Sequence, residues 1–168
     1  SQSGETADTL AALRLSNEKG AKTLAISNVI GSTITREADY TIYTHAGPEI
    51  AVASTKAYTS QVCLIAILGM YFAEILGSCP ENTIASLKSD ILDLPSKIDV
   101  VLSEAGKVKE FADKVYTQKD MFFLGRGTDY DVALEGSLKL KEISYIHSEA
   151  YAAGELKHGP IALIENDV

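Results

Sequence analysis

The stretch Thr23-Leu-Ala-Ile-Ser27 is short and apolar, which is typical of a strand buried in a parallel sheet. Before it, apolar residues at helical spacing predict a helix over residues 6–19 that ends at Gly20. After it, residues 31–39 predict a short helical turn, and Tyr40-Thr-Ile-Tyr43 is rich in strand-forming residues. This order of elements predicts an α/β fold with a doubly wound parallel sheet, whose ligand sites gather in loops where the strands end.

The same order of elements begins again in the second half of the chain. Residues 54–76 predict a long helix, and its apolar run is shorter than the roughly 20 residues of a membrane span, so we interpret it as a core helix. Residues 81–113 are helical and more polar, and Pro95 predicts a break or kink. Met121-Phe-Phe-Leu124 then predicts a strand, and residues 131–144 predict another helix.

This restart predicts parts of two units: residues 1–80, a helical connector over 81–113, and residues 114–168. The composition is that of a soluble globular protein, with 46% hydrophobic and 23% charged residues. A formal charge of −8 argues against nucleic acid or an anionic membrane as a partner, because either requires a basic patch. Cys63 and Cys79 have neither metal-ligand nor disulfide-framework spacing, so we predict a cytoplasmic protein.

Ser1-Gln-Ser-Gly-Glu-Thr6 places three hydroxyl groups just before the first helix, and its glycine lets the backbone turn so that several N–H groups point one way. A helix N-terminus adds free donors and partial positive charge, so this loop is predicted to hold a phosphate without Lys or Arg. The alternative is that Ser3 or Thr6 only caps the helix. Glu5 slightly favours that alternative, because a phosphate loop must point this carboxylate away from the anion.

Ala53-Ser-Thr-Lys56 also places hydroxyls at a helix start, where they are candidates for lining the same pocket, although an ordinary N-cap is the simpler explanation. Glu135, Lys139 and Glu142 are spaced i, i+4 and i+7, so they form one stripe on a helix. Within a cleft, such a carboxylate acts as a general base that the lysine orients. The alternative is an exposed ladder of ion pairs. His158, between two glycines, is a candidate for proton transfer or a plain surface histidine.

Four motifs in the same order resemble the family of glutamine–fructose-6-phosphate aminotransferases (isomerizing), also called glucosamine-6-phosphate synthases. The resemblance runs from Ser1 to Val168 and implies a three-layer αβα sandwich, with parts of two tandem sugar isomerase (SIS) subdomains. The motifs are Ser1-Gln-Ser-Gly-Glu-Thr-Ala-Asp-Thr9, Ala53-Ser-Thr-Lys-Ala-Tyr-Thr-Ser-Gln61, Leu138-Lys-Leu-Lys-Glu-Ile-Ser144 and Glu149-Ala-Tyr-Ala-Ala-Gly-Glu-Leu-Lys-His-Gly-Pro160.

The resemblance also implies roles for single residues. Those that match phosphate-binding positions are Ser1, Gln2, Ser3 and Thr6. Val52, through its backbone, and Ser54 match sugar-contacting positions. Glu142 matches the base that moves a proton between C1 and C2, and Lys139 matches a lysine of the same active site. His158 matches the histidine implicated in opening the sugar ring, which the neighbouring subunit contributes, so a homodimer is implied.

The implied reaction converts fructose 6-phosphate and glutamine-derived ammonia to glucosamine 6-phosphate in amino-sugar biosynthesis, with no metal or redox cofactor. The family's glutaminase domain and C-terminal tail are not in this chain, so we expect a fragment that is inactive alone in the full reaction. A non-catalytic SIS module that senses sugar phosphates is the main alternative, but it would not need Glu142, Lys139 and His158. A third possibility is a related SIS deglycase or ketose-phosphate isomerase that acts on another sugar.

Overall fold

The computed structural model describes residues 1–164 of a chain that divides into two compact units, Ser1–Leu94 and Pro95–Val168. Residues 165–168, which the predicted second unit includes, lie outside the described residues. The elements, in chain order, are α1 (Ala7–Glu18), β1 (Leu24–Ser27), α2 (Thr33–Glu37), β2 (Tyr40–Tyr43), α3 (Lys56–Leu76), α4 (Glu81–Ser103), α5 (Ala105–Val115), β3 (Asp120–Gly125), α6 (Thr128–Ser144), β4 (His147–Ala152) and two 3-10 turns (Leu156–His158 and Pro160–Leu163). The predicted limits of the helical connector, residues 81–113, stay a prediction.

The first unit is built on a parallel pair of strands, β1 and β2, which α2 connects. Its core consists of apolar side chains from α1, β1 and α2: Leu10, Leu13, Ala25 and Ile34. Because parallel strands end at the same edge, the loop before α1 lies at that edge, where the Asn28 N–H donates to the Gln2 carbonyl at 3.1 Å. The predicted α/β class with parallel strands is confirmed.

Asp39 joins the starts of β1 and β2. Its carboxylate accepts hydrogen bonds from the Lys22 ammonium at 2.8 Å and the Thr23 N–H at 2.9 Å. The bond from Lys22, followed by those from Thr23, lowers the pKa of Asp39 to about 2. The ionised carboxylate therefore adds to the backbone pairing at the starts of the two strands.

In the second unit, β3 and β4 form another parallel pair, with α6 as the connection between them. The hydroxyls of Ser137 on α6 and Ser148 on β4 are buried and 3.1 Å apart, which ties the helix to the sheet. The strand β4 was not predicted, because His147-Ser-Glu-Ala-Tyr-Ala152 has no apolar run. Because α6 packs on β3 and β4 with one face, this βαβ arrangement determines which of its residues lie on the opposite face.

Of the predicted break or kink at Pro95, the break does not occur, since α4 continues through this proline to Ser103. The kink stays a prediction. The break comes at Glu104, which leaves the helical conformation and begins α5. Just before it, the Ser103 hydroxyl donates to the Val100 carbonyl at 2.6 Å, a side-chain bond that competes with the backbone ladder. The helix α4 therefore ends eight residues after the proline, next to this side-chain hydrogen bond.

The interpretation of residues 62–76 as a core helix is wrong for the described residues, because Ile65, Phe72 and Ile75 are 58%, 52% and 63% exposed. A helix of 21 residues is about 31 Å long, whereas two strands span roughly 10 Å, so this sheet is too narrow to cover α3. By length and composition, α3 is also the one helix within residues 1–164 that is long and apolar enough to cross a membrane, a test that core helices of soluble proteins pass as well.

Candidate functional site

A cavity of about 270 Å³ opens beside the start of α1. Its lining comes from the loop before α1 and the loop before α3: Gln2, Ser3, Thr6, Glu49, Ala51, Val52 and Ser54. All of the predicted binding residues except Ser1 are in this lining, and the Ser1 hydroxyl lies 2.9 Å from that of Thr6. The first unit therefore brings together two motifs that are some fifty residues apart in the chain. Their roles in binding stay predictions.

The N-terminus of α1 has open donors. Thr6 occupies the N-cap position but makes no side-chain hydrogen bond to the helix. Ser3 Oγ accepts a hydrogen bond from the Glu5 N–H at 3.2 Å, so it does not cap the first turn either. Within residues 1–164, the N–H groups of residues 7–9 donate to no protein oxygen. The simple cap is therefore not supported, and these donors together with the helix dipole can hold an anion.

Gly4 fixes the loop against α2. Its φ is +71°, and a Cβ at this position would lie 2.0 Å from the buried Ser32 hydroxyl oxygen. The Gly4 carbonyl accepts a hydrogen bond from the Ile34 N–H at 3.0 Å. Only glycine satisfies both the left-handed backbone and the close approach, so a larger residue at this position would displace the loop from α2.

Glu5 points away from the cavity. Its carboxylate accepts a hydrogen bond from the Thr33 N–H, at the first residue of α2, at a distance of 2.7 Å. Hydrogen bonds with Thr33 lower the pKa of Glu5, so the carboxylate stays ionised there at neutral pH. This geometry removes the electrostatic objection to a phosphate in the neighbouring loop.

Glu49 is a cavity residue that the sequence did not reveal. Its carboxylate accepts hydrogen bonds from the N–H groups of Thr55 at 3.2 Å and Ala57 at 3.1 Å, at the start of α3. The hydrogen bond from Ala57 is the largest cause that lowers the pKa of Glu49, and the bond from Thr55 is the next. Thr55 is the N-cap residue of α3 but makes no side-chain capping bond. No local capping rule reaches from residue 49 to residue 57, so only the structure identifies this interaction.

The predicted stripe on α6 is present in the second unit. Lys139 Nζ lies 2.6 Å from a Glu142 carboxylate oxygen and 3.5 Å from one of Glu135. The hydrogen bond to Glu142 is the main cause that raises the pKa of Lys139, so the ammonium remains charged. The three side chains are only partly exposed, which separates them from the freely solvated pairs of α5. Lys139 thus orients a carboxylate on either side of it.

His158 closes the first 3-10 turn and is exposed. Its N–H donates to the Glu155 carbonyl at 2.9 Å. No contact within the described part of the chain joins it to Glu142 or Lys139. Residues 1–164 also contain no cluster of three or more His, Cys, Asp or Glu side chains that could hold a metal ion.

Residues 1–71 and 114–168 match the family model described as SIS domain. A glutamine–fructose-6-phosphate aminotransferase (isomerizing) from Clostridium perfringens is 61% identical over 168 residues, which are 100% of this chain and 28% of that protein. A protein of the same name from Thermococcus kodakarensis is 50% identical over 167 residues, 99% of this chain and 28% of its own length. This chain therefore spans about 28% of the length of these relatives.

Among solved structures, the C-terminal domain of glucosamine-fructose-6-phosphate aminotransferase from Francisella tularensis has a similar fold. Its TM-score is 0.96 at 42% sequence identity, and the match covers 99% of this chain and 48% of that chain. This likeness confirms the fold that the sequence predicted. Both the relatives and the solved structure extend well beyond the matched region.

Proposed function

Because this chain belongs to the SIS domain family, we propose that it is the isomerase-region portion of an enzyme that forms glucosamine 6-phosphate from fructose 6-phosphate and glutamine-derived ammonia. Relatives that carry the aminotransferase name at 50–61% identity over almost the whole chain support this proposal. Residues 72–113, outside the two family matches, fit a connector between two SIS subdomains.

The observation that carries the proposal is the cavity at α1. The hydroxyl and amide side chains of Gln2, Ser3 and Thr6 line it just before the first turn of α1, whose N–H groups are open, and none of the lining side chains is Lys or Arg. A phosphate dianion would be held there by neutral donors and the helix dipole, with the sugar toward Val52 and Ser54. A fixed phosphate gives the isomerisation the orientation it needs.

In the proposed reaction, His158 assists opening of the sugar ring, and Glu142 removes the proton from C1 or C2 and returns it to the other carbon. The 2.6 Å bond from the Lys139 ammonium supports this role, because it fixes the direction of the base. His158 acts across a homodimer interface, which agrees with its exposure and its separation from Glu142 within the described residues. A glutaminase domain supplies the ammonia. The free Cys63 and Cys79 support a location in the cytoplasm.

The test replaces Ser3 and Thr6 with Ala in the full-length enzyme and measures ligand binding by calorimetry. Loss of two hydrogen bonds to a charged group should raise the Kd for fructose 6-phosphate by at least about tenfold. The affinity for unphosphorylated fructose should not change. Ser16→Ala, which removes a hydroxyl near the other end of α1, serves as the control. Unchanged affinity of the double variant for fructose 6-phosphate would refute the phosphate site.

A further inference from the structure

Two helix N-termini adjoin the same cavity, because its lining residues precede both α1 and α3. At α1 the N–H groups of residues 7–9 have no acceptor within residues 1–164. At α3 the Glu49 carboxylate already accepts the bonds from Thr55 and Ala57. The Thr6 end of the cavity therefore adjoins a helix start with open donors, whereas the Glu49 end carries a negative charge.

We infer that Glu49 is a positioning residue that sets the direction of a sugar phosphate in this cavity, with the phosphate toward α1 and the sugar toward residues 51–54. The inference rests on the proposed function. The carboxylate repels a phosphate dianion from the start of α3, where N–H groups would otherwise attract it. Its bonds to Thr55 also hold the loop that carries Val52 and Ser54, between which Ala53 is buried.

The charge of Glu49 is what separates this role from plain helix capping. Thr55 stands at the N-cap with a hydroxyl that could cap α3 without any charge, yet this hydroxyl contacts Glu49 Oε1 at 3.3 Å. A neutral cap would satisfy the first turn and leave the helix dipole attractive to anions. The ionised carboxylate satisfies the same donors and cancels that attraction.

The experiment compares wild-type full-length enzyme with Glu49→Gln by calorimetry, using fructose 6-phosphate and inorganic phosphate as separate ligands. The amide keeps an acceptor for α3 but carries no charge. We expect the Kd for fructose 6-phosphate to rise roughly tenfold, while that for inorganic phosphate stays within about twofold or falls. Glu81→Gln, an exposed first-turn carboxylate of α4 outside the cavity lining, should change neither.

Two results for the variant would overturn the inference. Equal weakening of both ligands would mean that Glu49 only maintains the structure of the loop. Unchanged affinity for both would mean that its charge does not orient the substrate. Wild-type enzyme that binds neither ligand would be a different outcome, since it would refute the proposed function and this inference with it.

Discussion

Gly4→Ala should destabilise the first unit through one close contact. The added Cβ would stand 2.0 Å from the Ser32 hydroxyl oxygen and 2.5 Å from its Cβ. A left-handed backbone costs alanine about 1 kcal/mol, and overpacking of a buried contact adds about 1–3 kcal/mol. We therefore expect the free energy of unfolding to fall by roughly 2–4 kcal/mol.

Gly20→Ala is the matched control, since the φ of Gly20 is +78° and nothing lies within 4 Å of the position that an added Cβ would take. Gly20→Ala should lower the free energy of unfolding only by the cost of the left-handed backbone, about 1 kcal/mol. Urea unfolding of the full-length protein gives both values, and a double-mutant cycle of Gly4→Ala with Ser32→Gly should return a favourable coupling of about 1 kcal/mol or more. Equal losses for Gly4→Ala and Gly20→Ala would refute the contact that holds the loop before α1 on α2.

Glu142→Gln should keep fructose 6-phosphate binding and slow isomerisation by about 10²–10⁴-fold, as loss of a general base does; normal turnover contradicts the assignment. If His158 acts across a dimer, mixed subunits of Glu142→Gln and His158→Asn should recover about a quarter of wild-type activity. Random mixing makes about half of the dimers heterodimers, and one of the two sites in each heterodimer is intact. Asp39 has its folded pKa lowered from 3.8 to about 2, so its stabilising contribution is complete above pH 3.8 and is lost as the pH falls toward 2. A series of thermal melts between pH 5 and 2 measures how the melting temperature falls with pH, and Asp39→Asn should remove the part of this fall that Asp39 causes. Melting temperatures that fall equally in the variant and the wild-type protein would contradict the prediction.

The strands β1 and β2 were predictable because their apolar and β-branched residues are a local property of the chain. The strand β4 was not, since His147-Ser-Glu-Ala-Tyr-Ala152 becomes a strand only by pairing with β3. The motif before α1 indicated open donors, but the direction of Glu5 depends on Thr33, which lies 28 residues away. Exposure of α3 likewise depends on the width of the sheet beneath it and not on its own apolar sequence.

If the proposed phosphate site is correct, a chain with a net charge of −8 must keep its own carboxylates from repelling the phosphate. Glu5 in the loop before α1 and Glu49 in the cavity lining each accept hydrogen bonds from N–H groups at the start of a neighbouring helix, α2 and α3 respectively. Both pKa values are lowered by those bonds, so the charges are fixed in place and partly neutralised by the helix dipoles. The first turn of α1 contains Asp8, but within residues 1–164 no carboxylate accepts a hydrogen bond from the N–H groups of residues 7–9. The starts of α2 and α3 have this interaction and the start of α1 does not, so the proposed phosphate would be directed to α1 without a cationic side chain in the cavity lining.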